Sequence, residues 1–338
     1  MKYGSVCSGV EAATVAWHPL GWEPQWFSEI EKFPCAVLQH HYPTVPNFGD
    51  MTKFKEWNDD PIDLLVGGTP CQSFSVAGLR KGLDDPRGNL MLTYLAIAER
   101  YQPRWLVWEN VPGVLSSNGG RDFGTFLTAL GQLGYGFAYR VLDAQYFGVA
   151  QRRRRVFVVG YLGDWRRSAA VLFERESLSG HPAPSREKRQ EVAKTLTRGV
   201  GQRYDFEGET LPIAFGAQNS AKQGDSVSTK VTPTLDKSKT PAVAFDAYNQ
   251  TVSDVPTSLR ASTGGGVHDN TVMKDLAVRR LTPTECERLQ GFPDDYTLIP
   301  YRNKLAADGP RYKAMGNSMA VPVMNWIGKQ IQMVENMK

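Results

Sequence analysis

The chain has 338 residues, of which 41% are hydrophobic, and its 39 basic and 35 acidic side chains give a formal net charge of +4. This length accommodates one large or two ordinary domains, and this hydrophobic content supplies a substantial core. The apolar runs are of strand length, well short of the ~18 residues that a membrane span needs, and the first residues lack the apolar segment of a signal peptide. We therefore expect a globular, cytoplasmic protein with no membrane segment.

The four cysteines lie far apart and form no C-x-x-C pair: Cys7, Cys35, Cys71 and Cys286. This pattern predicts neither a disulfide framework nor a metal site. The mild positive charge is compatible with a nucleic-acid partner, and arginines concentrate at residues 152–155 and 166–167. A run of charges is equally typical of a solvated face, so both interpretations stay open.

From the first residue to about residue 164, apolar runs alternate with amphipathic stretches, as in a mostly parallel sheet covered by helices. The predicted strands are Tyr3–Cys7, Gln25–Glu29, Ile62–Val66, Trp105–Trp108, Tyr139–Leu142 and Val156–Tyr161. The predicted helices are Glu11–Trp17, Pro34–His41, Leu90–Arg100 and Phe123–Gly131. The fold class is therefore α/β.

Residues 165–277 differ in composition, because they are rich in Ser, Thr, Gly, Gln, Asn and Lys and hold only short β-like pieces. They contain a weak internal repeat in which residues 213–219 resemble residues 243–249. Two copies are too few for a solenoid, so we expect stacked β-hairpins.

We therefore divide the chain into a first domain at 1–164, a smaller β-rich domain at 165–277, and a return to the first domain at 278–338. In the last part, Pro283 follows Thr282, a good N-cap, at the start of a helix. Residues 319–338 predict a final helix that packs back on the first domain.

Cys71 lies at the end of the tight turn Gly67-Gly68-Thr69-Pro70, directly after the apolar run that ends at Val66. Ligands and chemistry gather at the carboxyl ends of strands in open α/β sheets, so a cysteine here is placed to act as a nucleophile. Pro70 fixes a backbone dihedral just before the thiol. Taken alone, a single cysteine is more often a small buried hydrophobic residue, so other motifs must decide.

Two further stretches bring polar groups to strand ends. The apolar run Trp105–Trp108 stops at Glu109-Asn110, although Glu109 alone could be a capping or surface carboxylate. In residues 151–155, the two-residue period of a strand puts Arg153 and Arg155 on one face, where they can bind an anionic or carbonyl acceptor.

In this order, the motifs resemble those of the cytosine-C5 DNA methyltransferases. The matching stretches are Cys7-Ser8-Gly9, Glu29, Asp50, Pro70-Cys71-Gln72, Glu109-Asn110-Val111, residues 151–155, residues 279–293 and Gly316-Asn317-Ser318. Pro-Cys-Gln alone is a weak signal, but the ordered set is specific and spans nearly the whole chain outside the polar insert. The resemblance implies a Rossmann-like sheet that binds S-adenosylmethionine, with helices on both faces, plus a β-rich target-recognition domain.

The resemblance implies a catalytic role for four side chains. Cys71 would add to C6 of cytosine, and Glu109 would donate a proton to N3. Arg153 would hold the O2 side of the ring, and Arg155 would position Glu109 or Cys71. The methyl donor would be S-adenosylmethionine, and no metal is implied.

The resemblance also implies cofactor-binding residues: Gly9, Glu29, Asp50, Met51, Pro70, Leu90, Asn317 and Ser318. Glu29 would bind the ribose hydroxyls and Asp50 the adenine amine. Where the family usually has Phe-x-Gly-x-Gly, this chain has Cys7-Ser8-Gly9-Val10-Glu11, without the adenine-stacking aromatic and the second glycine. We expect no direct role in cofactor binding for Cys7 or Glu11.

The segment after Cys71 would close as a lid over a base turned out of the duplex, with DNA contacts from Gln72, Ser75, Arg80 and Lys81. The polar insert would read the base sequence. The implied partner is double-stranded DNA, bound by a monomer. No nuclease motif is visible, so DNA cleavage would need a separate restriction endonuclease.

The sequence leaves three alternatives open. An RNA cytosine methyltransferase would share the core, although the long β-like insert favours duplex DNA. A catalytically silent DNA-binding relative would not need the thiol, and a thiol redox protein would need a partner cysteine near Cys71. The target sequence is not readable from these residues.

Overall fold

The computed structural model describes residues 1–70, 89–173 and 279–337, together with the backbone of three short strands between residues 212 and 245. The predicted nucleophile and DNA contacts, Cys71, Gln72, Ser75, Arg80 and Lys81, lie outside the described residues.

A six-stranded sheet organises the first part of the chain. Its strands are β1 (Lys2–Val6), β2 (Glu23–Ser28), β3 (Leu64–Gly67), β4 (Trp105–Asn110), β5 (Tyr135–Asp143) and β6 (Arg154–Leu162), in the order β2-β1-β3-β4-β6-β5. The first four are parallel, and β6 runs antiparallel between β4 and β5. Each predicted strand of this part is present, with small differences at its ends.

The helices of the described residues are α1 (Ala12–Trp17), α2 (Lys32–His41), α3 (Leu90–Tyr101), α4 (Arg121–Gln132), α5 (Trp165–Leu172), α6 (Pro283–Gln290), α7 (Asp308–Asn317) and α8 (Val321–Asn336). The four helices predicted before residue 164 are confirmed. The last predicted helix is present as α8, whereas α5 and α7 were not predicted.

Alternate residues of the central strands enter two separate cores. Leu64 and Trp105 pack on one face of the sheet together with α1 and α8, whereas Leu65 and Leu106 pack on the other with α3 and α4. Burial on both faces explains why these strands are continuous apolar runs. The α/β class with helices on both faces is confirmed.

The C-terminal part of the chain completes the first core. Helix α8 lies on α1, where the Trp17 indole donates to the Met324 carbonyl at 2.7 Å and the Asn325 amide donates to the Ala16 carbonyl at 2.8 Å. Helix α5 also packs on β5, β6 and α8, so the layers of the sheet continue beyond residue 164. The division at 164 and 277 stays a prediction.

A second, antiparallel sheet has the order β10-β9-β7-β8, with β7 (Pro212–Gly216), β8 (Val227–Ser228), β9 (Pro241–Phe245) and β10 (Arg279–Arg280). The two copies of the weak repeat supply β7 and β9. They pair with each other, Ile213 opposite Ala244 and Ala214 opposite Val243. The copies are therefore neighbouring strands related by a local two-fold rotation.

A short hairpin, β11 (Pro300–Tyr301) and β12 (Lys304–Leu305), precedes α7. Among the described residues, no helix combines the length and the apolar character that crossing a membrane requires.

Candidate active site

The strand register gathers the candidate residues at one edge of the large sheet. Val6 of β1 lies beside Gly67 of β3, and Gly67 lies beside Trp108 of β4. Because β6 is antiparallel, its first residue, Arg154, pairs with Asp143 at the end of β5. The carboxyl ends of β1 to β5 and the start of β6 therefore meet, as the sequence predicted for this class of sheet.

Thr69 fixes the backbone two residues before Cys71. Its hydroxyl oxygen accepts from the Trp108 indole at 2.9 Å, and its carbonyl accepts from the Asn110 side-chain amide at 2.9 Å. Thr69 is buried and Pro70 is exposed, so the chain turns outward at this point. The sequence did not reveal Thr69 as a site residue, because its partners Trp108 and Asn110 lie about 40 residues later in the chain.

Glu109 lies against this same turn. A β-carbon added to Gly68 would be 3.1 Å from Glu109 Oε2, and it would be equally close to the Met319 methyl group. Glu109 Oε1 lies 3.0 Å from Arg155 Nε, and the two side chains are only 12% and 13% exposed. The turn that leads into Cys71, the carboxyl group and the arginine therefore form one cluster.

Two opposing influences act on the Glu109 carboxyl. Burial raises its pKa, whereas the charges of Arg155 and Arg153 lower it, and the net direction is upward. A carboxyl group in such surroundings holds a proton at higher pH than an exposed glutamate does, which suits it to donate a proton.

Arg153 and Arg155, which the sequence predicts on one strand face, have different partners. Arg153 is 3% exposed, and its Nη2 donates to the Ser318 carbonyl at 2.6 Å and the Gly316 carbonyl at 3.3 Å. Burial and the nearby Arg155 charge lower the pKa of Arg153 to about 9. Arg153 thus holds the Gly316-Asn317-Ser318 turn, while Arg155 contacts Glu109.

Glu29 and Gly9 form a rigid pair at the ends of β2 and β1. Glu29 Oε2 accepts from the Gly9 amide at 2.8 Å, and Oε1 accepts from the amides of Ile30 and Glu31 at 2.8 and 2.7 Å. Gly9 has a φ of 57°, and a β-carbon there would meet no atom within 4 Å. Beside them, Ile30 is 69% exposed, so an apolar side chain faces the open space next to a fixed carboxylate.

Asp50 and Met51 lie next to this pair but differ in exposure. Asp50 is exposed, and its Oδ1 accepts from the Thr52 amide at 2.9 Å. Met51 is buried, with its sulfur 3.6 Å from the Cys7 sulfur, and burial raises the pKa of the Cys7 thiol to about 12. Cys7 is therefore a neutral thiol at neutral pH.

Glu11 replaces the second glycine of the family motif in a conformation that glycine usually takes. Its φ is 62°, its side chain is buried, and it caps α1 by accepting from the Thr14 amide at 3.2 Å. Ser5 donates to its other oxygen. The capping bonds offset the strain of a left-handed backbone, so Glu11 has a structural role here.

The remaining predicted residues differ in their surroundings. Leu90 is half-buried at the start of α3, Asn317 is exposed, and Ser318 is buried. Across residues 1–70, 89–173 and 279–337, no three His, Cys, Asp or Glu side chains come close enough together to hold a metal ion.

Comparison with known proteins identifies the family. Residues 1–333 match the family model of the C-5 cytosine-specific DNA methylases. A type II methyltransferase, M1.ScrFI of Lactococcus lactis subsp. cremoris, is 31% identical over 92% of this chain and 72% of its own length. The S. pombe Dnmt2 methyltransferase structure superposes over the whole of both chains with a TM-score of 0.63 at 18% identity, which supports the fold.

A DNA N-6-adenine-methyltransferase of Escherichia phage P1 is 37% identical over 97% of this chain. The chain spans 61% of that protein's length, so the activity in its name describes a longer protein. The family resemblance predicted from the ordered motifs is confirmed: the chain belongs to the C-5 cytosine-specific DNA methylase family.

Proposed function

We propose that this chain methylates C5 of a cytosine in duplex DNA, with Cys71 as the nucleophile and S-adenosylmethionine as the methyl donor. One observation supports the proposal most: Gly68 lies against the Glu109 carboxyl, in the turn that runs directly into Cys71. The proposed reaction needs a nucleophile and an acid at the same base, and this contact between the turn and the carboxyl suits that need.

The chemistry of cytosine explains why both groups are needed. C5 is a weak nucleophile until a thiolate adds to C6, and the displaced ring electrons then require a proton at N3. Cys71 Sγ forms the bond to C6, and Glu109 donates that proton. S-adenosylmethionine, when bound, would supply a methyl group on a positively charged sulfur, and C5 would bond to that methyl group as the methyl–sulfur bond breaks and leaves a neutral thioether. Loss of the C5 proton to a base then lets the ring expel the Cys71 thiolate, and the N3 proton returns to Glu109.

The partners of the two arginines suggest distinct roles. Arg155 is slightly exposed and touches Glu109, so we assign it to the side of the cluster that faces the base. Arg153 is more deeply buried and already bonded to two carbonyls, so we assign it to holding the Gly316-Asn317-Ser318 turn. The family resemblance implied that Arg153 holds the O2 side of the ring, so the assignment differs for Arg153. The contact of Arg155 with Glu109 agrees with the positioning role that the resemblance implied for Arg155.

The residues at the ends of β1 and β2 fit S-adenosylmethionine. Three amides already bind Glu29, which leaves Oε2 with one lone pair for a ribose hydroxyl. Ile30 offers an apolar contact for the adenine in place of the missing aromatic residue, and Asp50 offers a carboxylate for its amine. Pro70, Leu90, Asn317 and Ser318 would hold the methionine end, and Met51 would support the pocket from beneath.

Further features of the chain suit a DNA substrate. Arg154 is exposed at the start of β6, beside the candidate cluster, where its charge can meet a phosphate. We propose that residues 72–82 close over the extruded base through Gln72, Ser75, Arg80 and Lys81, and that the insert at 165–277 reads the sequence. We also propose a cytoplasmic monomer, with any DNA cleavage performed by a separate endonuclease.

The name of the phage P1 relative favours one second candidate, methylation of adenine N6. An exocyclic amine can attack a methyl sulfonium directly, so that reaction needs no covalent bond between enzyme and base. Adenine methylation has no evident need for the cluster formed by the turn before Cys71, Glu109 and Arg155. The cluster therefore favours methylation of cytosine.

Analysis of methylated nucleosides distinguishes these candidates. DNA and RNA would be incubated with the purified chain and S-adenosylmethionine, digested to nucleosides and examined by mass spectrometry. We expect 5-methylcytosine in duplex DNA and none with Cys71→Ser. N6-methyladenine alone, or methylation of RNA alone, would contradict the proposal.

A further inference from the structure

Side chains of helix α6 contact helix α7 near the start of α7 and at its end. Near the start of α7, Arg311 is bonded to Glu287 Oε1 at 3.1 Å and to the Thr297 hydroxyl at 3.0 Å. At the end of α7, Gln290 Nε2 donates to the Met315 carbonyl at 2.7 Å and more weakly to the Ser318 carbonyl at 3.4 Å. Gln290 is fully buried. The last carbonyls of a helix lack partners within it, so a side-chain donor here fixes where the helix ends.

The turn that follows α7 contacts both parts of the candidate active site. The Ser318 carbonyl, which Gln290 reaches, also accepts from Arg153 at 2.6 Å. The Met319 methyl group lies against Gly68, 3.1 Å from the position of an added β-carbon. One turn therefore touches the arginine strand and the backbone that leads to Cys71, and Asn317, directly before Ser318, is exposed.

We propose that Gln290 is a positioning residue for methyl transfer, because its amide fixes the turn at residues 317–319. This inference rests on the proposed function. The ion pair between Glu287 and Arg311 already holds α7 against α6. The hydrogen bonds of Gln290 are therefore not needed to attach the helix. Their particular effect is on the end of α7, where displacement would move Asn317 from the cofactor and Met319 from Gly68.

The matched substitutions are Gln290→Met and Gln332→Met. Methionine has a similar length and cannot donate a hydrogen bond. Gln332 lies on α8, where it accepts from the Trp22 indole at 2.9 Å and donates to Asn336 Oδ1 at 3.3 Å. Its variant therefore also loses two side-chain hydrogen bonds. Calorimetry would give the Kd for S-adenosylmethionine, and a duplex with 5-fluorocytosine at its target would give the rate of covalent adduct formation.

We expect Gln290→Met to weaken S-adenosylmethionine binding and to slow adduct formation at saturating cofactor, each about tenfold, a modest loss for misplaced groups. Gln332→Met should keep the wild-type Kd and rate. A folded Gln290→Met protein with wild-type values for both would overturn the inference. If that variant does not fold, Gln290→Asn, which keeps the amide but loses reach, should give the same two changes, and its failure to do so would equally overturn it.

The two proposals fail in different ways. If the wild-type chain forms no adduct, the proposed function is wrong, and the Kd comparison still tests Gln290. If the wild-type chain forms the adduct and Gln290 affects neither measurement, only the positioning role is wrong.

Discussion

Glu109 is the residue on which proton transfer to N3 depends in the proposed reaction. Replacing it by glutamine keeps the shape of the side chain but removes the proton that N3 needs. We expect Glu109→Gln to slow methylation by about 10²- to 10⁴-fold, the usual contribution of a general acid, without loss of the fold. Steady-state rates on a methylatable duplex, with circular dichroism as a control, measure this effect.

The pH dependence follows from the direction of the Glu109 pKa shift. The protonated carboxyl is the active form, so the rate should fall as pH rises through this pKa. Because burial raises the pKa of Glu109, the fall should occur at higher pH than for an ordinary glutamate. Residual activity of Glu109→Gln should lack this fall, and an unchanged profile would argue against the assignment.

Two adjacent glycines should respond differently to alanine. At Gly67 a β-carbon would lie 2.5 Å from the Val6 side chain and 3.0 Å from its carbonyl, inside the sheet. At Gly68 it would press on Glu109 and Met319 instead. We expect Gly67→Ala to lower the melting temperature, and Gly68→Ala to lower kcat with less effect on melting. Equal effects in the two assays would contradict this separation.

The residues that lie at the site could be predicted from the sequence, but most of their contacts could not. Glu109 was placed at a strand end because an apolar run stops there. The two-residue period placed Arg153 and Arg155 on one face, yet it could not show that Arg153 binds the carbonyls of Gly316 and Ser318. Those partners are distant in the chain, and only the assembled sheet brings them together.

At the scale of elements, α7 shows where sequence patterns fail. Its sequence includes glycine, proline and an arginine that faces inward, so it lacks the apolar stripe of an amphipathic helix. Arg311 is 4% exposed and paired with Glu287, which is fully buried. A buried ion pair is a tertiary contact, so hydrophobic periodicity does not reveal it.

This pair gives a prediction for stability. Arg311→Met leaves the Glu287 carboxylate buried without its cation, and breaking a buried pair in this way typically costs about 3–5 kcal/mol. Urea denaturation should show a loss of that size. Replacing both partners, Glu287→Leu with Arg311→Met, should recover part of the loss because no unpaired charge remains. A single variant as stable as the wild type would contradict this view of the α6 and α7 contact.

For the molecule as a whole, the sequence predicted a sheet with helices on both faces, but it did not predict the order of the strands. Alternating apolar and amphipathic stretches indicated an α/β fold, and runs such as Leu64-Leu65-Val66 entered both cores as a doubly covered sheet requires. The position of β6 between β4 and β5 could not be read from its own residues. Strand order depends on contacts between distant segments, which local patterns do not encode.

In the proposed reaction Cys71 bonds to cytosine C6 during methyl transfer, and this bond can be trapped. Fluorine at C5 blocks the loss of a proton that releases the enzyme. The wild-type chain, incubated with S-adenosylmethionine and a 5-fluorocytosine duplex at its target, should give a complex that survives denaturing electrophoresis, while Cys71→Ser should give none. Methylation of the unmodified duplex without any trapped complex, or by the Cys71→Ser chain, would contradict covalent catalysis by Cys71.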